Sequence, residues 1–527
     1  MRKRRWGETG LYVLAVLLMF GVLSSNAGAA MTSSFHGFFE SNFVLRDTTG
    51  IQNGFFDQAE GVQQRNTLKF DVDIDPNIEM GAFRVEKVHL TFRGAYDSIF
   101  DLRANEYKIK ESLGASRFDY GLKDIRFETD LREAFIDFAF KSKSIGTGFF
   151  RPGRQIVSWG EGMLETLLDV VNPADQSFKL FFQNPDDVKI PLWMGRLNYS
   201  PPRFIPSTDL NFDLLWIPDI RPAQLGPLDS VGGQPGVGLQ APYVRVLPFS
   251  DFDGLTVRQK AATNEQEYGG RITAMIGDRL SLSFTYFRDV NNDGGVVLSN
   301  FYTGPTATFT YNKQHVYGGY FSYQLLMGGF EAIVRGEVSH YTAAVINRDA
   351  VPFGNWAFIP GVGPVPLDDQ AGLKSFEYKP VTKTMLAIDK DMRWRWLSPH
   401  DVTKISFEWV HKTINEWNSD FDNTWYAASG AILKDRRHAR EQDVFLMQVM
   451  TFWWASKLNP MLIVACSPGK HGDGTTYMVQ PSIKWYITSQ LYTNMALQAF
   501  MGDKHASYDF STFVPTSEAN ISLGYEW

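Results

Sequence analysis

The chain has 527 residues, of which 44% are hydrophobic and 21% charged, and its formal net charge is −7. A single cysteine excludes a disulfide scaffold, and the acidic balance argues against a nucleic-acid partner. Aromatic residues make up 14% of the chain, which argues against disorder. One apolar stretch alone approaches the length of a membrane helix, so a multi-span helical membrane protein is excluded.

The N-terminus predicts export. Residues 2–5 are basic, residues 11–23 are apolar, and Ala27, Gly28 and Ala29 form a small-residue cleavage site. This pattern is typical of a secretory signal peptide, which we place at residues 1–29. The alternative is a membrane anchor, for which the apolar run is short.

The mature chain, residues 30–527, repeats short segments in which apolar and polar residues alternate. In the last segment, Ala519, Ile521, Leu523, Tyr525 and Trp527 alternate with small or polar residues. A transmembrane β-strand has this length and alternation. A half-buried sheet of a soluble protein alternates too, but many such segments after a signal peptide favour a membrane barrel.

The ending on Trp527 resembles the C-terminal signal of Gram-negative outer-membrane barrels. That resemblance implies the barrel-assembly machinery as a partner, and outer-membrane lipid and lipopolysaccharide as surroundings.

The lengths of the connections give a second indication, because short and long connections alternate as in outer-membrane barrels. We therefore predict an all-β fold, a transmembrane antiparallel β-barrel of about 18 strands (16–18), that forms one domain in the cell outer membrane. The predicted strands lie near residues 34–45, 64–74, 85–97, 130–140, 145–158, 192–199, 209–217, 268–276, 280–289, 314–325, 329–341, 380–391, 401–412, 441–454, 459–466, 475–487, 489–501 and 517–527.

The alternation assigns apolar positions to lipid and polar positions to the lumen. Carboxylates outnumber cations among the predicted lumen charges, which predicts a mild cation preference. The predicted pore-lining residues are Lys69, Asp71, Asp73, Arg93, Glu133, Asp137, Glu331, Arg335, Glu337, Lys383, Asp389, Lys404, Glu408 and Lys484.

Residues 158–192 break the alternation in a connection too long for a simple turn. Residues 161–171 have helical apolar spacing, which Asn172 and Pro173 end. We predict a partly helical segment that folds into the lumen as a plug or constriction. The alternative is an extracellular loop with a short surface helix. The apolar residues with this spacing are Met163, Leu164, Leu167, Leu168 and Val171.

The same region resembles an uncharacterised family of proteobacterial outer-membrane proteins, known mainly as a domain of unknown function. That family carries a G-R-Q-x-V-x-W-G-E run followed by N-P-x-D. The resemblance implies an outer-membrane location, a transport-related role and an RND-type (MMPL-like) exporter as partner. Its motif residues here are Arg151, Gly153, Arg154, Gln155, Trp159, Gly160, Glu161, Asn172, Pro173 and Asp175.

One constellation suggests a metal. Asp289, Asn291 and Asp293, followed by a glycine, match the first half of a calcium loop. The twelfth position is Asn300 instead of the bidentate Glu, so an acidic hairpin loop is the favoured interpretation. We expect no metal and no cofactor.

The sequence predicts a channel or porin-like protein that moves small or hydrophobic solutes. One alternative is an adhesin or assembly scaffold carried by long loops over residues 98–129, 218–267 and 342–379. Another is a barrel-borne hydrolase with a Ser/His/Asp set assembled from separate strands. No local catalytic motif supports an enzyme.

Overall fold

The computed structural model describes most strands and part of the connections, and every structural statement below concerns the residues it describes. These are residues 32–47, 59–81, 83–102, 126–163, 165, 167–175, 185–221, 223, 230–231, 234–235, 256–259, 265–290, 295–299, 306–347, 356–359, 363–366, 373–374, 376–399, 401–417, 425–426, 432–433, 439–469, 474–502 and 517–527.

Eighteen long strands form a closed antiparallel barrel, as predicted, because each strand pairs with the next and the last pairs with the first. In chain order they are β1 (Thr32–Asp47), β2 (Ala59–Asp75), β3 (Phe83–Asp97), β4 (Phe127–Ser142), β5 (Gly146–Gln155), β6 (Leu192–Ser200), β7 (Thr208–Ile217), β8 (Glu267–Ile276), β9 (Leu280–Val290), β10 (Lys313–Met327), β11 (Phe330–Asn347), β12 (Phe376–Met392), β13 (Thr403–Ile414), β14 (Glu441–Met450), β15 (Leu458–Ser467), β16 (Thr476–Tyr486), β17 (Leu491–Gly502) and β18 (Glu518–Glu526).

The remaining described elements are short. Ile78–Met80 pairs with the start of β3, and the helices are Ile99–Leu102 and Pro185–Val188. No described helix is long and apolar enough to cross a bilayer. Short strands within the long connections pair as Ser230–Val231 with Gln234–Pro235, Trp356–Ile359 with Gly363–Pro366, and Trp425–Tyr426 with Ile432–Leu433, while Thr256–Gln259, Thr306–Thr310, Gly295–Ser299 and Leu373–Lys374 form a four-stranded sheet.

The connections divide by length between the two ends of the barrel. One end carries short turns such as residues 143–145, 277–279 and 328–329. The first strand begins and the last strand ends at this same end of the barrel. The other end carries long connections such as residues 218–266 and 348–375. We call these the turn side and the loop side.

Two predicted strands end earlier than the alternation suggested. The strand predicted over residues 145–158 ends at Gln155, and the one predicted over residues 441–454 ends at Met450. In the second case Trp454, Ala455 and Ser456 have positive φ angles of 53°, 54° and 62°. Left-handed residues form the turn to β15 because extended strand pairing cannot accommodate them.

The barrel is polar inside and apolar outside, as a bilayer requires. On β18, Glu518 and Asn520 are 0% and 3% exposed, whereas Ile521 and Leu523 are 56% and 50% exposed. Exposed aromatic residues such as Trp216 and Trp485 stand toward the two ends of the wall. Closure of the sheet leaves no open edge in lipid, which is why the strands can span the membrane.

Side chains reinforce the closure between β18 and β1, which we call the seam. Arg46 on β1 forms an ion pair with Glu518 on β18, and Asn520 donates to Asn42 across the same pair of strands. The hydroxyl of Tyr492 on β17 reaches over β18 and donates to Glu40 on β1 at 2.9 Å.

Candidate functional site

The connection between β5 and β6 lies against the inner wall of the barrel. We call its described part, residues 156–163, 165, 167–175 and 185–191, the inner segment. The indole Nε1 of Trp159 donates to Asp213 on β7 at 3.1 Å, and its ring packs edge-on against Phe287 on β9. Arg271 on β8 donates to the Trp159 carbonyl at 3.1 Å. These three partners belong to inward-facing positions, so the segment occupies the lumen.

Three wall carboxylates accept backbone N–H groups of the inner segment. Glu133 on β4 accepts from the Ile156 N–H at 2.8 Å, at the start of the segment. Glu337 on β11 accepts from the Glu161 N–H at 3.0 Å and from the Leu168 N–H at 2.6 Å. Glu408 on β13 accepts from the Met163 N–H at 3.0 Å. Hydrogen bonds to a carboxylate are stronger than those between neutral groups, so Glu337 and Glu408 hold the middle of the segment firmly.

Like Arg271, further wall arginines donate to backbone carbonyls of the same segment. Arg335 on β11 donates to the Glu161 carbonyl at 2.7 Å. Arg93 on β3 and Arg132 on β4 donate to the carbonyls of Asp187 and Lys189, each at 2.6 Å. The wall therefore bonds the main chain of the segment at both of its ends.

The predicted helix over residues 161–171 is wrong for the described residues, which form bends without a helical turn. A helix needs each backbone N–H to bond the carbonyl four residues earlier. Here the Leu168 N–H, which lies inside the predicted helix, bonds Glu337 on the wall instead. The N–H groups of Glu161 and Met163, which have no partner within a helix that starts at residue 161, bond wall carboxylates as well.

Asn172 joins the two ends of the inner segment. Its side-chain oxygen accepts from the Val157 N–H at 2.8 Å, and its amide donates to the Ile190 carbonyl at 2.9 Å. The Pro173 carbonyl accepts from the Ile190 N–H at 2.7 Å. Asn172 and Pro173, the N-P pair of the family motif, thus keep the start of the inner segment beside its end.

Apolar packing adds to these bonds. Val157, Leu168 and Val171 belong to a buried cluster with wall residues that include Phe287 and Val316. Gly318 on β10 makes room, because a Cβ there would overlap the Leu168 side chain. The Tyr341 hydroxyl donates to the Leu167 carbonyl. The segment is therefore packed against the wall through buried apolar side chains.

Glu165 forms an ion pair with Lys383 on β12 at 2.5 Å. Burial disfavours the charged carboxylate, but Lys383 and Lys412 outweigh that effect and hold the pKa of Glu165 below its ordinary value of 4.5. Glu165 therefore ties the middle of the inner segment to the wall as a carboxylate.

The motif arginines pair with strand carboxylates. Arg151 bonds Asp137 at 2.6 and 2.7 Å, and Arg154 bonds Asp130 at 2.8 Å. Gly153 has a φ of +142° and lies too close to the Ala134 carbonyl for any side chain.

The other motif residues lie within or beside the inner segment. Gln155 is buried at the end of β5, and its amide donates to the Arg151 carbonyl at 3.0 Å. Gly160 packs against Asp169 with no space for a Cβ. The Asp175 N–H donates to the Val188 carbonyl at 2.6 Å. The motif residues therefore shape the entry, the bends and the exit of the segment.

The structure divides the predicted pore-lining residues into two groups. Those that bond or pair with the inner segment are Arg93, Glu133, Arg335, Glu337, Lys383 and Glu408. Those that lie elsewhere on the inner wall are Lys69, Asp71, Asp73, Asp137, Glu331, Asp389, Lys404 and Lys484.

Sequence reasoning missed several wall residues that hold the segment, above all Arg132, Asp213, Arg271 and Tyr341. Each occupies an inward position of a strand whose alternation was recognised. Extending the same alternation through β7 and β8 would have found Asp213 and Arg271, whereas Arg132 lies beside the inward Glu133 at a bulge of β4, where the alternation breaks.

The calcium half-loop is split by the end of a strand. Asp289 is a buried residue of β9 and accepts from the Gln314 amide at 2.6 Å. Asn291, Asp293 and Asn300 lie outside the described residues. Within the part of the chain that the structure describes, no three His, Cys, Asp or Glu side chains are grouped so that they could hold a metal.

A lumen network on β2 and β3 has the connectivity of a hydrolase triad. Asp73 contacts Nδ1 of His89 at 2.6 Å, and Nε2 of His89 contacts the Thr91 hydroxyl at 2.8 Å. The Thr91 hydroxyl donates its proton to Asp71, however. A nucleophile must give that proton to the histidine, so this arrangement is a wall network and supports no hydrolysis.

No protein-family model and no curated protein sequence matches the chain. Some solved structures are similar to it over most of its length. OccAB1 of Acinetobacter baumannii is 10% identical, with 94% of this chain and 96% of that chain covered and a TM-score of 0.45. OccK11 (OpdR) of Pseudomonas aeruginosa is 10% identical, with 94% of this chain and 95% of that chain covered and a TM-score of 0.43. The outer membrane protein opdK of Pseudomonas aeruginosa is 6% identical, with 94% of this chain and 98% of that chain covered and a TM-score of 0.44.

Proposed function

We propose that the protein is an outer-membrane channel whose lumen is constricted by the inner segment. The observation that carries this proposal is the inner segment itself, bonded to inward-facing charges from β3 round to β13. A barrel of this size leaves an aqueous passage unless something fills it. A segment held by side-chain bonds to its backbone can be released without unfolding any strand.

The orientation follows from the two ends of the barrel. The turn side faces the periplasm and the loop side faces the cell surface, because outer-membrane barrels have short periplasmic turns and long extracellular loops. The signal over residues 1–29 and the terminal Trp527 fit export and insertion by the barrel-assembly machinery. The protein is no enzyme in this proposal and needs no cofactor.

The cargo is a small or hydrophobic solute, and we propose an RND-type exporter of the inner membrane as the partner that delivers it. This part of the proposal rests on the resemblance of the residues from Arg151 to Asp175. Co-purification with such an exporter tests the partner independently of conductance.

Planar-bilayer recording tests the constriction. In a Glu337→Gln/Glu408→Gln variant the wall offers neutral acceptors in place of the two carboxylates that hold the middle of the inner segment. We expect a small or flickering current from the wild type and a larger, steadier current from the variant. Glu331→Gln is the matched control, because Glu331 faces the lumen and bonds Gln324 on the wall. Equal currents in all three proteins would refute the constriction.

A further inference from the structure

An apolar groove of about 400 Å³ runs along the outer face of β5, β6 and β7. Its floor is Gly195, which lacks a side chain between Phe150 and Trp216. Strand pairing places Pro152 and Trp216 on either side of Gly195. Phe150 and Trp216 are 43% and 52% exposed on the lipid-facing surface. The groove therefore opens into the membrane and not into the lumen.

The groove follows the direction of the strands. Trp193, Trp216 and Pro218 line its end on the loop side, and Leu197 and Leu214 line its end near the middle of the wall. A lipid acyl chain crosses a leaflet in the same direction. An empty groove would lose dispersion contacts along its whole lining, and water would gain no hydrogen bonds there. A hydrocarbon chain is the ligand that this shape and lining fit.

Basic residues lie beyond the groove, at the loop-side ends of β7, β9 and β10. Arg221 pairs with Asp219, whereas Arg288 and Lys313 share the carboxylate of Glu265. Arg288 and Lys313 together therefore carry one positive charge more than the carboxylate that pairs with them. The indole of Trp216 donates to Gln266 at the same level, as aromatic residues do at a membrane interface. A phosphorylated headgroup is the complementary partner.

We propose that this groove binds one acyl chain of lipid A, whose phosphates lie near Arg221 and Arg288. The choice of lipid A over a phospholipid rests on the proposed function, which places the loop side at the cell surface. The chain would enter beside Trp193, lie over Gly195 and end at Leu197 and Leu214. Such a lipid would contact β7 and also β5 and β6, the two strands that flank the inner segment.

Native mass spectrometry of the full-length mature barrel in detergent tests the site, with purified lipid A and phosphatidylethanolamine as separate probes. Gly195→Leu fills the floor, and the strand tolerates it because a Cβ there meets Phe150 at an ordinary 3.5 Å. Thr384→Leu on β12 is the control, since it adds an apolar side chain to the same lipid-facing surface beside Leu386. Heat-modifiable gel migration checks that each variant folds.

We expect the wild type and Thr384→Leu to retain lipid A, and Gly195→Leu to bind it about tenfold more weakly or worse, because the leucine side chain takes the space in which the acyl chain packs. Equal retention by wild type and Gly195→Leu would overturn the site. A wild type that prefers phosphatidylethanolamine, or retains neither lipid, would overturn it as well. Surface labelling of the long connections on whole cells reads the orientation separately, so a reversed barrel is distinguished from a groove that binds nothing.

Discussion

Single carboxylates decide how firmly the inner segment is held. Glu337 accepts two backbone N–H groups, from Glu161 and Leu168, that would otherwise be unpaired inside the barrel. Hydrogen bonds to a charged group contribute about 1.5–3 kcal/mol each, roughly twice as much as neutral ones. The strength of the constriction therefore depends on a residue more than 160 positions away in the sequence.

Glu337→Gln should loosen the segment without opening the barrel. Replacing the charged acceptor by a neutral one costs about 1–3 kcal/mol, which corresponds to about tenfold or more in local opening. Hydrogen–deuterium exchange measures this as lost protection of the Glu161 and Leu168 amides, with strand amides unchanged. Glu331→Gln should leave the same amides protected. Unchanged protection in Glu337→Gln would show that Glu337 is not an anchor.

The ion pair of Glu165 and Lys383 predicts a pH dependence. The pKa of Glu165 is lowered in the folded protein, so its stabilising effect is complete above the ordinary value of 4.5 and is lost as pH falls through the lowered pKa. The conductance of the wild type should rise in that acidic range. In Lys383→Gln the rise should begin at higher pH, because the pKa of Glu165 returns toward its ordinary value. Coincident pH profiles would contradict this role of the pair.

At the scale of elements, the seam depends on a fit between β17, β18 and β1. The Tyr492 ring lies over Gly524 of β18 while its hydroxyl bonds Glu40 of β1. A side chain at Gly524 would occupy the position of that ring. Because Gly524 has no side chain, Tyr492 can reach across β18 and bond Glu40 on β1.

Gly524→Ala should lower the free energy of unfolding by about 1–3 kcal/mol, the usual cost of overpacking. The same substitution should lower the free energy of unfolding by less in a Tyr492→Ala background, because the ring that the new methyl group would meet is absent there. Gly94→Ala on β3 is the control, because a Cβ there meets no atom closer than 4.0 Å. Urea unfolding in detergent, followed by gel migration, measures the wild type, the two single variants, the double variant and the control. An equal loss of unfolding free energy in both backgrounds would show that Gly524 does not make room for the Tyr492 ring.

The strands were predictable from the sequence, and the inner segment was predictable in part. Alternation such as that from Glu518 to Trp527 encodes a strand locally, since each residue's face is fixed by its neighbours. The apolar spacing from Met163 to Val171 suggested a helix for the same local reason. The structure formed there depends on Glu337 and Glu408, which are distant in sequence and reach the segment only when the barrel closes.

At the scale of the molecule, the charged residues have two roles. A barrel strand shows lipid every second residue, so a membrane protein can hold 21% charged residues. Much of the charge on the described inner wall is paired, and wall charges from β3 to β13 bind the inner segment. The inner segment thus fills part of the lumen with main chain while the wall supplies its hydrogen bonds.

Reversible cross-linking during single-channel recording tests the constriction most directly. Cysteines replace Glu161 and Glu337 in a Cys466→Ser background, and a short reducible bis-methanethiosulfonate reagent joins them. We expect a low conductance while the cross-link holds the inner segment to β11, and a rise when a reductant releases it in the same channel. A conductance that is equal before and after reduction would contradict a constriction by the inner segment.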